Sequence, residues 1–410
     1  MCVLGFKIQA KVLTALLCAM FCLHGYAQKR LIEEVKQDLR TQTLTVANYT
    51  SSLTKLTPAL KDSTTCDDAE VWFIAGKICF DKYDKYQSLR SIGTKADDSD
   101  MCSALISGYD YMLKALSLDS VPERDKHGAV KIDKKTGQPR MHTTYSRDIT
   151  KLLLEHHREY KYVGRVYYST LQKFGEAYRA WEIYSSMPYD RRFAALQKSV
   201  RVAEIGEYRF YQGVSAKLDG NYANAMRAFG KALDAGYDKR DVYDYAIICA
   251  EHEQSDSIIA ILAKDAHDRY GKDNPRYIRI LCNVAIRNGK YDIANLVVDQ
   301  AMSDYPDRAE YYGLKGVLLE NQNGNINESY TYFKRAVELD PEGAQTNYDM
   351  GRYYLNLALT QTDERKSLEL QAQAKPYFER TLEKDPGNKA ARSALKGIYY
   401  NLNDPKYERL

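Results

Sequence analysis

Between residues 206 and 402 the apolar and polar positions of the chain repeat with a period of 34 or 35 residues. Small or apolar residues mark one position of this period, at Gly213, Ile248, Cys282, Gly316 and Gly351. A second set of mostly small residues follows at Ala225, Ala260, Ala294, Ser329 and Ala374. Two apolar faces separated by a polar turn predict a pair of helices that cross where the side chains are smallest.

The clearest copy of this pattern is the stretch from Ala309 to Pro341. A large apolar residue comes four positions after the second small residue in this copy and in three others, at Phe229, Val298, Phe333 and Phe378, whereas the remaining copy has Lys264. Proline ends the copies at Pro306, Pro341 and Pro386. We expect the large residue to fill the gap between neighbouring helices, and a last helix over 389–402 to cap the array.

The N-terminal half shows the pattern less regularly. Residues 28–62 read as helix with a break at Pro58, and helices are expected over 69–80 and 103–119 with a long turn at 81–101. Residues 121–145 are polar and basic, and fit either a two-stranded hairpin turning at 134–137 or a flexible loop. Residues 146–188 return to a helical pattern, with Tyr160 and Gly164 on one face and Ala177 and Trp181 on the next.

The first 27 residues have the features of an export signal. Lys7 and Lys11 precede an uncharged apolar run over 12–23, and small residues end at Ala27. The run is too short for a stable membrane span, and no later segment replaces it. We therefore expect an exported protein, periplasmic or secreted, that is cleaved after Ala27 and keeps no membrane span.

The repeat resembles the tetratricopeptide repeat (TPR), with GLKGVLLE and SYTYFKRAVELDP in one unit and DMGRYYLNLAL and AKPYFERTLEKDP in the next. The resemblance implies an all-α, right-handed superhelical solenoid of antiparallel helix pairs with a loop or β-hairpin insertion. Together with the export signal, it resembles exported proteins of Bacteroidetes. The expected segments are the signal (1–27), a helical segment (28–68), a degenerate repeat (69–120), the insertion (121–145), a second degenerate repeat with a bridging helix (146–205), the array (206–402) and a tail (403–410).

Composition excludes several classes of partner and scaffold. Lys and Arg number 59 against 55 acidic residues, and loss of the signal lowers the net charge from +4 to +2, so no nucleic-acid partner is expected. Five cysteines remain after the signal, an odd number that leaves at least one unpaired, and so few cysteines in a chain of this length exclude a disulfide-built scaffold. One bridge among Cys66, Cys79 and Cys102 is possible, but packed free thiols are favoured.

Motifs for catalysis are absent from the sequence, so we expect no enzyme, no metal and no cofactor. Glycine-rich phosphate loops, nucleophile elbows, paired zinc-binding histidines and C-x-x-C pairs are all missing. Adjacent helix residues point about 100° apart, so His156 and His157 do not form a metal pair and are expected on an exposed helix face.

The resemblance places a partner site on the concave stripe of the first helices. In phase, this stripe contains Phe210, Lys217, Tyr245, Arg276, Arg279, Asn283, Arg287, Tyr348, Arg352 and Asn356. Arg and Asn at this spacing resemble part of the carboxylate clamp that some family members use, although Gly313, Val317 and Tyr348 depart from it. A basic and aromatic peptide groove and an ordinary solvated face are the alternatives.

These observations favour a non-enzymatic scaffold or adaptor of the cell envelope that binds a protein or peptide on its concave face. The alternative is an accessory subunit of an envelope enzyme or secretion complex that uses the insertion at 121–145. A self-associating structural protein is a third possibility, and the sequence leaves the oligomeric state open.

Overall fold

The computed structural model describes residues 28–40, 43–271, 274–322 and 326–409. The expected export signal lies outside these residues. The described chain is helical apart from one small two-stranded sheet, and it divides into two compact units, the first ending at Tyr237 and the second beginning at Asp238. The all-α class and the stacking of helix pairs within each unit confirm the expected fold.

The first unit contains nine α-helices in its described part, together with the sheet. The elements are α1 (28–38), α2 (Val46–Lys61), α3 (Ala69–Ser91), α4 (Asp98–Leu118), β1 (Val121–Pro122), β2 (Met141–His142), α5 (Ser146–Glu155), α6 (Glu159–Arg165), α7 (Phe174–Ser186), α8 (Val202–Leu218) and α9 (Tyr222–Asp234). A π-helical turn continues α6, and 3₁₀ turns join α7 to α8. The largest buried cluster joins α3 to α7 around Phe80, Tyr160 and Trp181.

The second unit consists of helix pairs in sequence order. Its helices are α10 (Arg240–His252), α11 (Asp256–Tyr270), α12 (Arg276–Arg287), α13 (Tyr291–Asp304), α14 (Ala309–Asn321), α15 (Ile326–Leu339), α16 (Ala344–Leu359), α17 (Glu364–Lys384) and α18 (Lys389–Asn401). Each helix packs against the next in the chain, and α14 also packs against α16, so the first helices of these two repeats adjoin.

Glycine allows the two helices of a repeat to approach closely. A Cβ atom added to Gly316 would lie 2.6 Å from the ring of Phe333, and one added to Gly213 would lie 2.5 Å from Phe229. Both phenylalanines are fully buried. The expected crossing points and the large residues that fill them are therefore confirmed in these two repeats.

The repeat of α10 and α11 corrects the predicted phase by one residue. Gly213 and Cys282 each lie eight positions before the N-cap of the following helix, Asn221 or Lys290. The N-cap of α11 is Ser255, so the equivalent crossing residue is Ile247, which is buried, rather than Ile248, which is half-buried. Residues 247 and 248 are both isoleucine, so the apolar pattern alone does not show which of them is the crossing residue.

The same one-residue correction applies to the buried positions of α11, the second helix of this repeat. Ile259 and Ala263 are buried at the positions that had been assigned to Ala260 and Lys264. Lys264 is exposed and pairs with Asp268 at 2.7 Å. The buried position that the sequence pattern gave to Lys264 is therefore filled by Ala263.

The N-terminal helices are arranged differently from the expectation. The segment 28–62 is two helices rather than one, and Pro58 lies inside the last turn of α2 rather than at a break. The expected long turn at 81–101 is mostly helix, since α3 continues to Ser91 and α4 begins at Asp98. The side chain of Asp97 caps α4 by accepting a hydrogen bond from the backbone N–H of Asp100 at 3.0 Å.

All five cysteines of the described chain are free thiols. Cys79, Cys102, Cys249 and Cys282 are buried, and burial raises the pKa of the Cys79, Cys102 and Cys282 thiols to about 12. Such thiols are protonated and act as small apolar side chains.

Candidate partner-binding surface

The candidate surface lies on α12, α14 and α16, the first helices of three consecutive repeats, and is called the inner face after the expectation from the sequence. Gly313 on α14 has no side chain, and a Cβ atom there would lie 3.2 Å from the Oδ2 atom of Asp349. The carboxylate of Asp349 is therefore able to lie against the backbone of α14. This acid is only 7% exposed.

Asp349 is held among polar groups from two helices. The Nε2 atom of Gln345 donates a hydrogen bond to its Oδ1 atom at 3.0 Å, and the charges of Arg352 and Arg279 favour its ionised form. Burial opposes them and is the larger effect, so the pKa of Asp349 rises to about 6. The site therefore contains a carboxyl group that titrates close to neutral pH.

A second acid lies beside it. The carboxylate of Glu320 on α14 forms an ion pair with Arg352 on α16 at 2.6 Å, and the Arg352 guanidinium lies 5.9 Å from the centre of the Phe333 ring. Burial raises the pKa of Glu320, although the neighbouring Arg352 and Asn356 side chains partly offset the rise. The structure thus brings together the predicted Arg279, Arg352 and Asn356 around two acids that the sequence analysis missed.

Two other predicted arginines are also paired with acids. Arg276 lies 3.3 Å from Asp244, and Arg287 lies 2.5 Å from Asp256. With Arg352 and Glu320, each arginine contacts an acid 31 or 32 residues earlier in the chain. These pairs link consecutive repeats, so the face carries little uncompensated positive charge. The spacing was visible in the sequence and could have identified Asp244, Asp256 and Glu320.

The remaining predicted residues occupy different environments. Asn283 is exposed on α12, and Tyr348 is half-buried on α16 with its ring centre 5.9 Å from that of Phe378. The corrected phase puts Asp244 where Tyr245 had been expected. Phe210 and Lys217 are half-buried in the first unit, where the Phe210 ring packs against Phe229 and Tyr237, so neither belongs to the surface described above.

The histidine pair was expected on an exposed helix, and this was wrong. His156 and His157 are buried where α5 meets α6. The His156 ring stacks on Phe80 with ring centres 4.4 Å apart, and its Nε2 atom lies 3.1 Å from the carboxylate of Asp84. Burial favours the neutral ring, but this hydrogen bond and one to the Leu152 carbonyl outweigh it and raise the pKa of His156.

Among residues 28–40, 43–271, 274–322 and 326–409, no group of three His, Cys, Asp or Glu side chains is placed to hold a metal ion. Within the same ranges no helix is both long and apolar enough to cross a membrane.

Comparison with known proteins identifies the repeat. Residues 282–344 match the family described as tetratricopeptide repeat. Comparison with curated proteins gave no match. This matched range contains the predicted crossing residues Cys282 and Gly316, so the match agrees with the repeat pattern read from the sequence.

Several solved structures are similar to this chain at low identity. The C-terminal part of a TPR repeat-containing protein from Cytophaga hutchinsonii is 16% identical, with 61% of this chain and 94% of that chain covered and a TM-score of 0.40. Yeast Tom70 is 14% identical, with coverage of 88% and 79% and a TM-score of 0.39. YrrB, described as a TPR protein with an unusual peptide-binding site, is 18% identical, with coverage of 50% and 98% and a TM-score of 0.30. The match over residues 282–344 supports a TPR protein.

Proposed function

We propose that this chain is a non-catalytic adaptor that binds a protein or peptide partner through the inner face of α12, α14 and α16. The observation that carries the proposal is the close contact at Gly313, where the missing side chain lets the buried carboxyl group of Asp349 lie against α14, close enough to Arg279 for the two charges to interact. Asn283 is exposed one helical turn beyond Arg279 on the same helix. An arginine and an asparagine at this spacing present donors to the carbonyl and carboxylate oxygens of a bound chain.

The pairing of the other arginines refines the type of partner. A full carboxylate clamp needs several unpaired cations, whereas Arg276, Arg287 and Arg352 already bind acids of the protein itself. We therefore favour recognition of the backbone and one anionic group over recognition of a strongly acidic peptide. The peptide-binding site named for YrrB is consistent with a peptide ligand for this repeat type.

The test uses the double variant Arg279→Ala with Asn283→Ala. The wild-type chain, immobilised, is used to retain partners from an envelope fraction, which mass spectrometry then identifies. We expect the double variant to retain the same partner about tenfold less well, because central arginines carry a large share of binding energy. Its melting temperature should stay close to that of the wild type, because Asn283 is exposed and Arg279 is only half-buried.

The matched control is Lys334→Ala with Arg335→Ala, two exposed residues on α15 outside this face. This control should retain the partner as the wild type does. Equal retention by both double variants would exclude the α12 face as the binding surface. Equal loss in both would indicate nonspecific charge attraction instead.

We also propose that the protein acts outside the cytoplasm, as an envelope scaffold released from its signal after Ala27. The support is the short apolar run at 12–23 behind two lysines. Expression of the full chain with a C-terminal tag in a Gram-negative host should yield, in the periplasm or medium, a mature protein that begins at Gln28. An intact N-terminus, found only in the cytoplasmic fraction by mass measurement, would contradict this proposal.

A further inference from the structure

The insertion between α4 and α5 is a hairpin with a fixed base. Asp119, which precedes it, is buried and accepts hydrogen bonds from the backbone N–H groups of Thr144, Tyr145 and Ser146 at 2.9, 2.9 and 2.7 Å. The ring of Tyr145 stacks on Phe73 with ring centres 4.8 Å apart. Because both ends are tied to the helical body at one point, the hairpin is a defined element rather than a free loop.

One side of the hairpin is apolar and faces solvent. Pro122 pairs with Met141, and Ile132 pairs with Pro139. Paired residues on adjacent strands lie on the same side, and Pro139 and Met141 are two positions apart on one strand, so all four share that side. Ile132 and Met141 are 52% and 47% exposed. About half of each of these two side chains is therefore open to solvent.

The same hairpin is basic. Between 121 and 145 it has six Lys and Arg residues against three acids, which gives a net charge of +3 with histidine neutral. The three acids are engaged within the hairpin. Glu123 lies 3.6 Å from the Nζ atom of Lys131, and Asp125 and Asp133 accept backbone N–H groups of their own turns at 2.8 Å. Lys126, Lys134 and Lys135 are exposed at the turns.

We propose that this hairpin docks on an anionic lipid surface, with Ile132 and Met141 at the boundary between headgroups and acyl chains. Basic side chains around an exposed apolar face fit this surface, because the lysines attract anionic headgroups while the apolar groups leave water. A soluble polyanion would use the charges but not the apolar side. A neutral protein surface would use the apolar side but not the charges. The proposal concerns a different surface from the inner face of the second unit and does not depend on its function.

The test measures flotation of the mature chain with vesicles. Wild-type protein should bind vesicles of phosphatidylcholine mixed with phosphatidylglycerol, and should bind pure phosphatidylcholine at least about tenfold less well, because each basic residue near an anionic surface adds to the attraction. Ile132→Asp with Met141→Asp should reduce binding to the mixed vesicles about tenfold. Lys134→Glu with Lys135→Glu should reduce it at least as much.

Matched controls come from the second unit. Ile261 and Leu296 are 68% and 70% exposed on α11 and α13, so Ile261→Asp with Leu296→Asp removes a similar exposed apolar surface elsewhere. Arg365→Glu with Lys366→Glu reverses two adjacent exposed charges on α17. Both controls should bind as the wild type does, and all variants should keep its melting temperature since the substituted residues are exposed.

Three results would overturn the proposal. The first is no binding of the wild type to the mixed vesicles. The second is equal loss in the hairpin variants and in their controls. The third is binding that is unaffected by Ile132→Asp with Met141→Asp and is displaced by soluble polyaspartate, which would indicate an acidic protein or polymer as the partner.

Discussion

At the level of single residues, the ion pair of Arg352 and Glu320 has a structural role as well as a position on the inner face. The side chain of Glu320 is only 7% exposed, and the Arg352 guanidinium is the cation 2.6 Å from it. Arg352→Ala should lower the free energy of unfolding by about 2 kcal/mol, because it leaves a buried carboxylate without its partner. Urea denaturation at neutral pH measures the change.

The control for this prediction removes the charge that is left behind. Glu320→Gln combined with Arg352→Ala should recover part of the lost stability, since a neutral amide is less costly to bury than a carboxylate. If Arg352→Ala alone leaves stability unchanged, the pair is accessible to water and Arg352 is available to a partner after all.

Asp349 gives the second prediction, which concerns pH. Its pKa of about 6 in the folded protein lies above the ordinary value of 3.8, so between these values the folded chain binds one more proton than the unfolded chain. This group therefore makes the protein more stable as the pH falls from 7 to 4, and Glu320 acts in the same direction.

The variant Asp349→Asn removes this titration. At pH 7 it should be more stable than the wild type, by at most about 3 kcal/mol, given about 1.4 kcal/mol for each pKa unit. The advantage should disappear near pH 4, as urea midpoints measured across this range will show. Asp307→Asn, at an exposed position, is the control for the loss of one carboxylate in the same unit. A variant less stable than the wild type at pH 7 would mean that the ionised carboxylate stabilises the fold.

Residue-level properties were the least predictable from sequence. The sequence predicts that His156 and His157 lie on the exposed face of one helix. In the structure α5 ends just before them and α6 begins just after them, and both side chains are buried. The residues next to Asp119 in the sequence do not indicate that it is buried and hydrogen-bonded, because its partners lie 25 to 27 residues away across the hairpin. Burial at such sites depends on contacts between distant segments, which a periodic pattern does not encode.

At the level of the helix pair, glycine packing gives the third prediction. Gly316→Ala places a methyl group 2.6 Å from the Phe333 ring, so the ring has to shift and the free energy of unfolding should fall by about 1 to 3 kcal/mol. Gly397, on α18 of the same unit, has open space around it. Gly397→Ala should stabilise the protein by about 0.5 to 1 kcal/mol, because alanine favours helix. Thermal unfolding of the two variants gives opposite shifts, and a destabilised Gly397→Ala would contradict the packing argument.

Helix pairs were predicted well where a glycine or a phenylalanine fixed the phase, as at Gly316 and Phe333. The predicted crossing residue was wrong by one position at 247–248, because two adjacent isoleucines are equally apolar. Only the position of the N-cap, Ser255, identifies Ile247 as the crossing residue. The inner face was only partly predictable. Its helices and arginines followed from the period, but the acids that neutralise those arginines come from the preceding repeat, 31 or 32 residues earlier in the chain.

At the level of the whole molecule, the two units have their own compact cores. Both tryptophans of the chain, Trp72 and Trp181, lie in the first unit, whereas helices are present in both. In repeat proteins stability is approximately a sum of local repeat terms, so unfolding need not be one cooperative step. Tryptophan fluorescence, excited where tyrosine does not absorb, thus reports on the first unit, and far-ultraviolet circular dichroism reports on both.

Gly316→Leu gives the last prediction, because it crowds the Phe333 ring in the second unit far more than alanine does. Part of the circular dichroism transition should move to lower urea concentration, while the fluorescence transition stays where it is in the wild type. The control Ala180→Leu overpacks a buried position on α7 of the first unit and should move the fluorescence transition together with the part of the circular dichroism transition that comes from that unit. If Gly316→Leu also moves the fluorescence transition, the two units unfold as one cooperative structure, and destabilisation of one repeat lowers the stability of the whole chain.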